Sequence, residues 1–292
     1  MRYALFLGCT VPARARNYEL STRRVAEAFG IGVVDLEDFG CCGFPIKSVN
    51  RETTLLMAAR TLAIAGSSGL NICTVCSACT GVLTEVSREL EHEDERAKVN
   101  EKLKSIGKEY KGGVKVKHIL RILYEDIGLD RIKNSVKKDI SGLRVAPHYG
   151  CHYLKPSEIY DHFDDPEDPK TLDELISAIS ATPVDYENKK QCCGGGILAM
   201  DERIALTMAG EKIDHISKES ADCMTLICPF CAVMYDDNQK GISLQAGKEY
   251  NLPVLYYTQL IGLAMGMDPK RDLGLQFNKV KTKELLSKIG IE

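Results

Sequence analysis

Ten of the twelve cysteines of this chain fall into one unusual pattern, written twice. The first copy reads Cys9, then Cys41-Cys42-Gly43, then Cys76-Ser77-Ala78-Cys79; the second reads Cys151, then Cys192-Cys193-Gly194, then Cys228-Pro229-Phe230-Cys231. The gaps nearly match, with 31 and 40 residues before the cysteine pair and 33 and 34 after it. Five thiols per copy is one more than a tetrahedral ion takes. Two of the five are neighbours in sequence, so the pattern points to a polynuclear iron–sulfur centre in each half.

The segments between the cysteines repeat as well. Each half opens on a short apolar run that ends at a cysteine, Tyr3 to Cys9 and Leu143 to Cys151. After each Cys-Cys-Gly element, apolar residues recur at helical spacing. They are Leu55, Leu56, Ala59, Leu62 and Ala63 in a helix over 52–66, and Ile204, Ala205, Met208, Ile213 and Ile216 in a helix over 201–218. A strand then feeds each CxxC, over 69–75 and 223–227, and a further strand and apolar helix follow at 114–120 and 252–257. Alternating strands and helices predict an α/β fold: two related Rossmann-like α/β domains with mostly parallel sheets, arising from internal duplication and related by a pseudo-twofold axis. We place the domains at 1–138 and 139–292, with the boundary in the lysine-rich stretch 132–141. The charged segment 85–111 reads as one solvated helix, and 155–170, with three prolines and many acids, as a surface loop. In open parallel sheets binding groups gather at the carboxyl ends of strands, where Cys9, Cys76, Cys151 and Cys228 fall.

A net charge of −3 gives no broad pull toward nucleic acid or an anionic membrane. No apolar run approaches the roughly 20 residues of a membrane span, and the N-terminus reads as a strand rather than a secretory signal. A cytoplasmic setting follows as the expectation. There, clustered cysteines argue for metal or redox chemistry over structural disulfides. A thioredoxin-like dithiol would use either CxxC but leave the Cys-Cys pairs idle. Zinc prefers four well-spaced ligands, and neighbouring side chains on an extended segment point apart. A larger cluster suits the pair better, since its thiols can reach different irons. Zinc and dithiol chemistry stay open as alternatives. Cys73 and Cys223 have no counterparts across the halves and read as small buried side chains on core strands.

The doubled Cys…Cys-Cys-Gly…Cys-x-x-Cys arrangement resembles the CCG-domain proteins, and among them the B-subunit family of the heterodisulfide reductases of methanogenic archaea. The resemblance covers almost the whole chain. It implies two non-cubane [4Fe-4S] clusters, one held by Cys9, Cys41, Cys42, Cys76 and Cys79, the other by Cys151, Cys192, Cys193, Cys228 and Cys231. The activity it implies is two-electron reduction of the mixed disulfide of coenzyme M and coenzyme B (CoM-S-S-CoB) to two thiols. No GxGxxG opens a helix after a strand, so neither flavin nor nicotinamide is expected on this chain. Electrons would come through partners: the ferredoxin-like iron–sulfur C-subunit of the reductase, its flavoprotein A-subunit and a hydrogenase. Two other functions compete. One is a CCG component of an organic-acid oxidoreductase of the thiol:fumarate, succinate, glycolate or lactate type. The other is a non-catalytic electron-transfer or zinc-binding module.

Beyond the cysteines, His148 and His152 flank Cys151, as proton donors to a departing thiolate or as hydrogen-bond donors to a cluster sulfur. Gly194, Gly195 and Gly196 follow the second cysteine pair, giving either clearance for substrate or a tight turn into the next helix. The substrate halves are anionic, so cations are expected at the site. Arg14, Lys47, Lys155, Lys189 and Lys190 lie near the motifs, with solvated surface as the alternative for each.

Overall fold

A computed structural model describes residues 1–291. The chain forms two four-stranded, all-parallel sheets of the same order, β2-β1-β3-β4 and β6-β5-β7-β8. The first contains β1 (Arg2–Phe6), β2 (Gly32–Val34), β3 (Asn71–Thr74) and β4 (Val116–His118). The second contains β5 (Arg144–His148), β6 (Thr182–Pro183), β7 (Cys223–Leu226) and β8 (Val254–Tyr256). The central strands are apolar and buried on both faces, as parallel strands covered by helices must be. All ten patterned cysteines lie beyond the strands; β1 and β5 each stop three residues short of theirs.

The registers make the duplication exact enough to assign equivalent positions. Ala4 pairs with Ile72, and Ala146 pairs with Met224. Phe6 and His148 therefore occupy the same place, at the last position of the first strand of each half. Helices α1 (Arg16–Ala28), α2 (Arg51–Ser67), α3 (Ser77–Glu89) and α4 (Glu93–Leu103) clothe the first sheet; α5 (Glu202–Lys218) and α6 (Tyr257–Ala264) belong to the second. The equivalent helices α2 and α5 start alike. Asn50 caps the first by accepting from Thr53 N at 3.0 Å, and Asp201 caps the second by accepting from Ile204 N at 3.0 Å.

The halves share one continuous core. α1 of the first half packs on α6 of the second, sealed by a buried Ser21–Thr258 hydroxyl pair at 2.7 Å and by Asn17 Nδ2 donating to Asn278 Oδ1 at 2.9 Å. The ring of Tyr18 stacks on Tyr256, centroids 3.9 Å apart, and His118 meets Tyr153 edge-on at 5.5 Å. In both pairs the last residue of a sheet's final strand is covered by the opposite half.

Three expectations need correction. The charged segment 85–111 is not one helix: α3 ends at Glu89, followed by the buried Leu90, and α4 restarts at Glu93 with three acids in its first turn, where they favour the helix dipole. The segment 155–170 is not all surface, because Tyr160 is buried and its hydroxyl donates to His152 O. The buried stripe of α5 lies one residue round from the expected one. Ile204 is 46% exposed, while Ala205, Ala209, Lys212, Ile213 and Ile216 are buried.

Candidate functional site

Beyond the ends of the strands, the structure gathers the five patterned cysteines of each half into one chain of touching sulfurs. In the first half Cys9 meets Cys41 at 4.0 Å, Cys41 meets Cys42, Cys42 meets Cys79, and Cys79 meets Cys76. In the second, Cys151 meets Cys192, Cys192 meets Cys193, Cys193 meets Cys231 at 3.6 Å, and Cys231 meets Cys228. Cys76 and Cys228 then touch across the halves at 3.9 Å. These two residues are equivalent, so the two sets meet at matching ends, as a pseudo-twofold relation would bring them. The outer pairs, Cys9 with Cys41 and Cys151 with Cys192, are exposed or half-buried; the inner three of each half are buried.

The glycine of each Cys-Cys-Gly element is fixed by two demands. Gly43 has φ +89° and Gly194 φ +78°, both left-handed. A Cβ on Gly43 would lie 3.0 Å from Thr54 Cα, and one on Gly194 would lie 3.0 Å from Ala205 O, so the turn packs directly onto α2 or α5. The same turn aims backbone amides at sulfur. Gly43 N donates to Cys41 Sγ, Gly194 N to Cys192 Sγ and Gly195 N to Cys193 Sγ, each at 3.4 Å.

Crowding sets the protonation of these thiols. Contact with Cys41 pulls Cys42 well below the ordinary thiol range, and contact with Cys151 does the same to Cys192. Neighbouring thiols push Cys76, Cys79 and Cys231 upward. Five thiols this close titrate together, and a cationic centre that takes them all as thiolates removes the conflict. The donor set fits an iron–sulfur cluster: five sulfurs per half, no carboxylate among them, and amide dipoles pointed at three. Two buried hydroxyls without a partner, Ser77 beside Cys76 and Tyr235 near Cys193 and Cys231, mark the same space. Cys73 and Cys223 lie apart, fully buried in β3 and β7, with burial alone the main cause of their raised pKa.

His148, Cys193 and Cys231 bring their ligand atoms within 4.8 Å of one another, as a metal site would. The second ring nitrogen of His148 decides its role. Lys212, buried in α5, donates to Lys189 O and Gln191 O, both at 2.8 Å, and its third proton points at His148 Nδ1 at 3.4 Å. With Nδ1 accepting, Nε2 carries the hydrogen and donates to Cys231 Sγ at 3.2 Å. Both ring nitrogens of His148 are thus engaged, Nδ1 by Lys212 and Nε2 by Cys231 Sγ. Sequence alone does not single out Lys212, although a lysine between Met208 and Ile216 on an apolar stripe was the available signal.

A groove of about 460 Å³ opens between the halves, lined among others by Phe44, Lys47 and Glu85 from the first half and His152, Lys155 and Pro156 from the second. His152 packs edge-on against Phe44 at 4.8 Å, and burial lowers its pKa. Lys47 pairs with Glu85, and Lys155 with Glu167 at 2.9 Å. The other cations lie elsewhere: Lys189 on Asp173 at 2.6 Å, Lys190 on Glu167 at 3.1 Å, and Arg14, 62% exposed, near Asp237. The triple glycine does not line the groove. Gly195 packs against Phe230 and Cys193, and only Gly196 has open space around it.

Comparison with known proteins agrees with this layout. The family of the cysteine-rich CCG domain matches twice, at residues 3–84 and 145–236. The B-subunit of the ferredoxin/F420H2-dependent CoB-CoM heterodisulfide reductase of Methanosarcina acetivorans is 37% identical over 99% of this chain and 97% of its own. A protein of Archaeoglobus profundus described as like the heterodisulfide reductase B-subunit is 36% identical over 94% of both. The membrane-anchor component of the 8-methylmenaquinol:fumarate reductase of Wolinella succinogenes is 31% identical over 97% of this chain and 98% of its own. Among the described residues here, no helix is long and apolar enough to cross a membrane. A crystal structure of a hypothetical protein from Helicobacter pylori superposes with a TM-score of 0.80 at 18% identity, which bears on the fold alone; this chain covers 52% of that one, with 96% of its own residues aligned.

Proposed function

The chain belongs to the cysteine-rich CCG-domain family, and from that premise we propose that it is the iron–sulfur B-subunit of a heterodisulfide reductase. It is the oxidoreductase component that reduces CoM-S-S-CoB; the S–S bond breaks, two electrons and two protons are taken up, and two thiols leave. Relatives alike over nearly the full chain support the reading. The observation that carries it is the contact of Cys76 with Cys228 at 3.9 Å. Through it, two five-thiol sets back onto each other on a pseudo-twofold axis, an arrangement matched to a substrate with two equivalent reacting sulfurs.

The cofactor reading is two non-cubane [4Fe-4S] clusters held by the two sets of five cysteines. When bound, such clusters supply electrons and Lewis-acidic irons that stabilise the departing thiolates. The chain's own part is to hold and surround them. Amides of Gly43, Gly194 and Gly195 spread charge from the cysteine sulfurs. Phe44 and Pro156 keep part of the groove dry, while Lys47 and Lys155 offer cations for the anionic ends of the coenzymes. His152 is the groove side chain able to hand a proton to a leaving thiolate. The domains divide at 138/139. The ferredoxin-like C-subunit, the flavoprotein A-subunit and a hydrogenase complete the cytoplasmic electron path.

A second reading rests on the Wolinella relative: a CCG component of an organic-acid oxidoreductase whose substrate reacts on another polypeptide. Disulfide reduction by the isolated, iron-loaded chain with an artificial reductant separates the two. We expect turnover of CoM-S-S-CoB with about eight irons and eight sulfides per chain. Full iron without turnover would transfer the assignment to the second reading, and stoichiometric zinc without iron would remove both.

A further inference from the structure

The two halves differ at two pairs of equivalent positions near the sulfur sets. In the first half, the end of β1 is Phe6, which packs edge-on against Phe39 at 5.3 Å. Eleven residues after the Asn50 cap, α2 carries Thr61, whose hydroxyl turns back to Met57 O at 3.2 Å. In the second half the same two places hold His148 and Lys212, the latter counted from the Asp201 cap. Neither side chain reaches solvent, with exposures of 1% and 0%.

A buried ammonium is expensive unless a negative group compensates it. Lys212 has no carboxylate partner among the described residues. Its protons go to two carbonyls and to His148, and Tyr186 offers the face of its ring at 5.8 Å. Burial pulls the pKa of Lys212 down to about 8, and Cys231, Cys193, Cys192 and Cys151, four of the five cysteines of the second set, oppose that shift as thiolates. His148 relays the contact: its Nδ1 faces the ammonium and its Nε2–H faces Cys231 Sγ. Tyr235 closes the other side of the imidazole edge-on at 5.0 Å. The first set has no counterpart to any of this.

We infer that Lys212, acting through His148, makes the second sulfur set the electron sink of the pair, so that its centre is reduced at a higher potential than that of the first. This rests on the iron–sulfur reading above. Reduction adds one electron from an external donor to the centre and changes no bond in the protein. The added negative charge is met in the second half by the Lys212 ammonium and a hydrogen bond to sulfur, while the equivalent positions of the first half, Phe6 and Thr61, carry no charge. Lys212 and His148 are positioning residues; neither touches the groove.

The test is a potentiometric titration of the iron-loaded full chain followed by electron paramagnetic resonance. Two separate midpoints are expected. Cys42→Ser, which disables the first set, should keep the higher one, and Cys193→Ser the lower. Lys212→Met should reduce the one-electron equilibrium constant of the higher wave at least tenfold, which is 59 mV, and leave the lower wave in place. If Lys212→Met fails to hold iron, His148→Phe carries the same test. Phenylalanine already sits at this position beside the first set, and the variant should keep all its iron while the higher wave falls. Equal midpoints in the native protein, the lower midpoint surviving in Cys42→Ser, or an unmoved wave in an iron-loaded Lys212 or His148 variant would overturn the inference alone. A native chain that binds no iron would overturn the functional reading and this inference with it.

Discussion

Phe6 and His148 stand at the same position in two halves that agree in nearly everything else. Strand order, register, helix caps and the chain of five sulfurs all repeat, while the side chains around the sulfurs do not. At two equivalent places the first half carries Phe6, packed on Phe39, and Thr61; the second carries His148, packed on Tyr235, and Lys212. The difference teaches that duplication kept the geometry of the sulfurs and varied the buried polar groups beside them. Sulfur contacts depend on backbone placement, which the fold preserves. The electrostatics of a buried site depend on a few nearby groups, so two substitutions suffice to separate the halves.

The sharpest way to break the comparison is to remove one inner thiol from each side. Cys42→Ser and Cys193→Ser are each expected to lose half the iron and abolish disulfide turnover, measured by iron analysis and a coupled assay. Loss of all iron in either variant would mean that the sets assemble as one unit through Cys76 and Cys228. Cys73→Ser is the control: its thiol lies inside β3 among apolar side chains. It should keep full iron and lose about 1–3 kcal/mol of stability from a buried hydroxyl.

A smaller asymmetry lies at the ends of the last strands, where His118 and Tyr256 are equivalent. His118 is buried; its Nδ1 accepts from Leu120 N at 3.1 Å and its Nε2 donates across the halves to Ile227 O at 2.9 Å. Tyr18 donates to the same carbonyl at 3.0 Å, so the residue before Cys228 is held twice by the first half. Burial pushes His118 down to about 4. Because that lies below the unfolded value near 6.5, the neutral ring's stabilisation is complete above pH 6.5 and is lost as pH falls toward 4. Between pH 7 and pH 5 the loss should be about 2 kcal/mol. Tyr256 does not ionise in this window, since burial raises its pKa. Urea unfolding at both pH values should show the drop in the native protein and a much smaller one in His118→Asn. Equal drops would assign the acid sensitivity elsewhere.

Much of this was legible in the sequence because it was written twice. Cysteine spacing, strand–helix alternation and the two helices after the Cys-Cys-Gly elements all survive comparison with the structure, and a duplicated pattern averages out local ambiguity. What escaped was what the halves do not share. Periodicity put Ile204 in the core of α5, whereas packing turned the helix to bury Lys212 instead. Helical spacing defines a stripe but leaves its edges open by a residue. The cross-half contacts of Tyr18 and His118 join residues 209 and 109 positions apart from their shared acceptor, Ile227, and no local pattern encodes them. The break at Leu90 was hidden by the charged residues on either side, whose shared polarity masks a buried leucine between two helices.

The glycines after the two cysteine pairs allow the finest comparison, because Gly43, Gly194 and Gly196 face different constraints. Gly43 and Gly194 are left-handed and press against α2 and α5, so alanine at either should cost about 1–2 kcal/mol from the backbone conformation alone. The costs should be similar, because both new methyls would meet helix backbone at 3.0 Å, the Cα of Thr54 at Gly43 and the carbonyl oxygen of Ala205 at Gly194. Gly196 has neither a left-handed φ nor a neighbour within 4 Å of an added Cβ. Gly196→Ala should therefore change stability by no more than about 0.5 kcal/mol. Its turnover then separates the two uses of the glycine run. Unchanged KM for the disulfide means that glycine serves only the turn, whereas a raised KM with unchanged stability means that the open space beside Gly196 admits substrate.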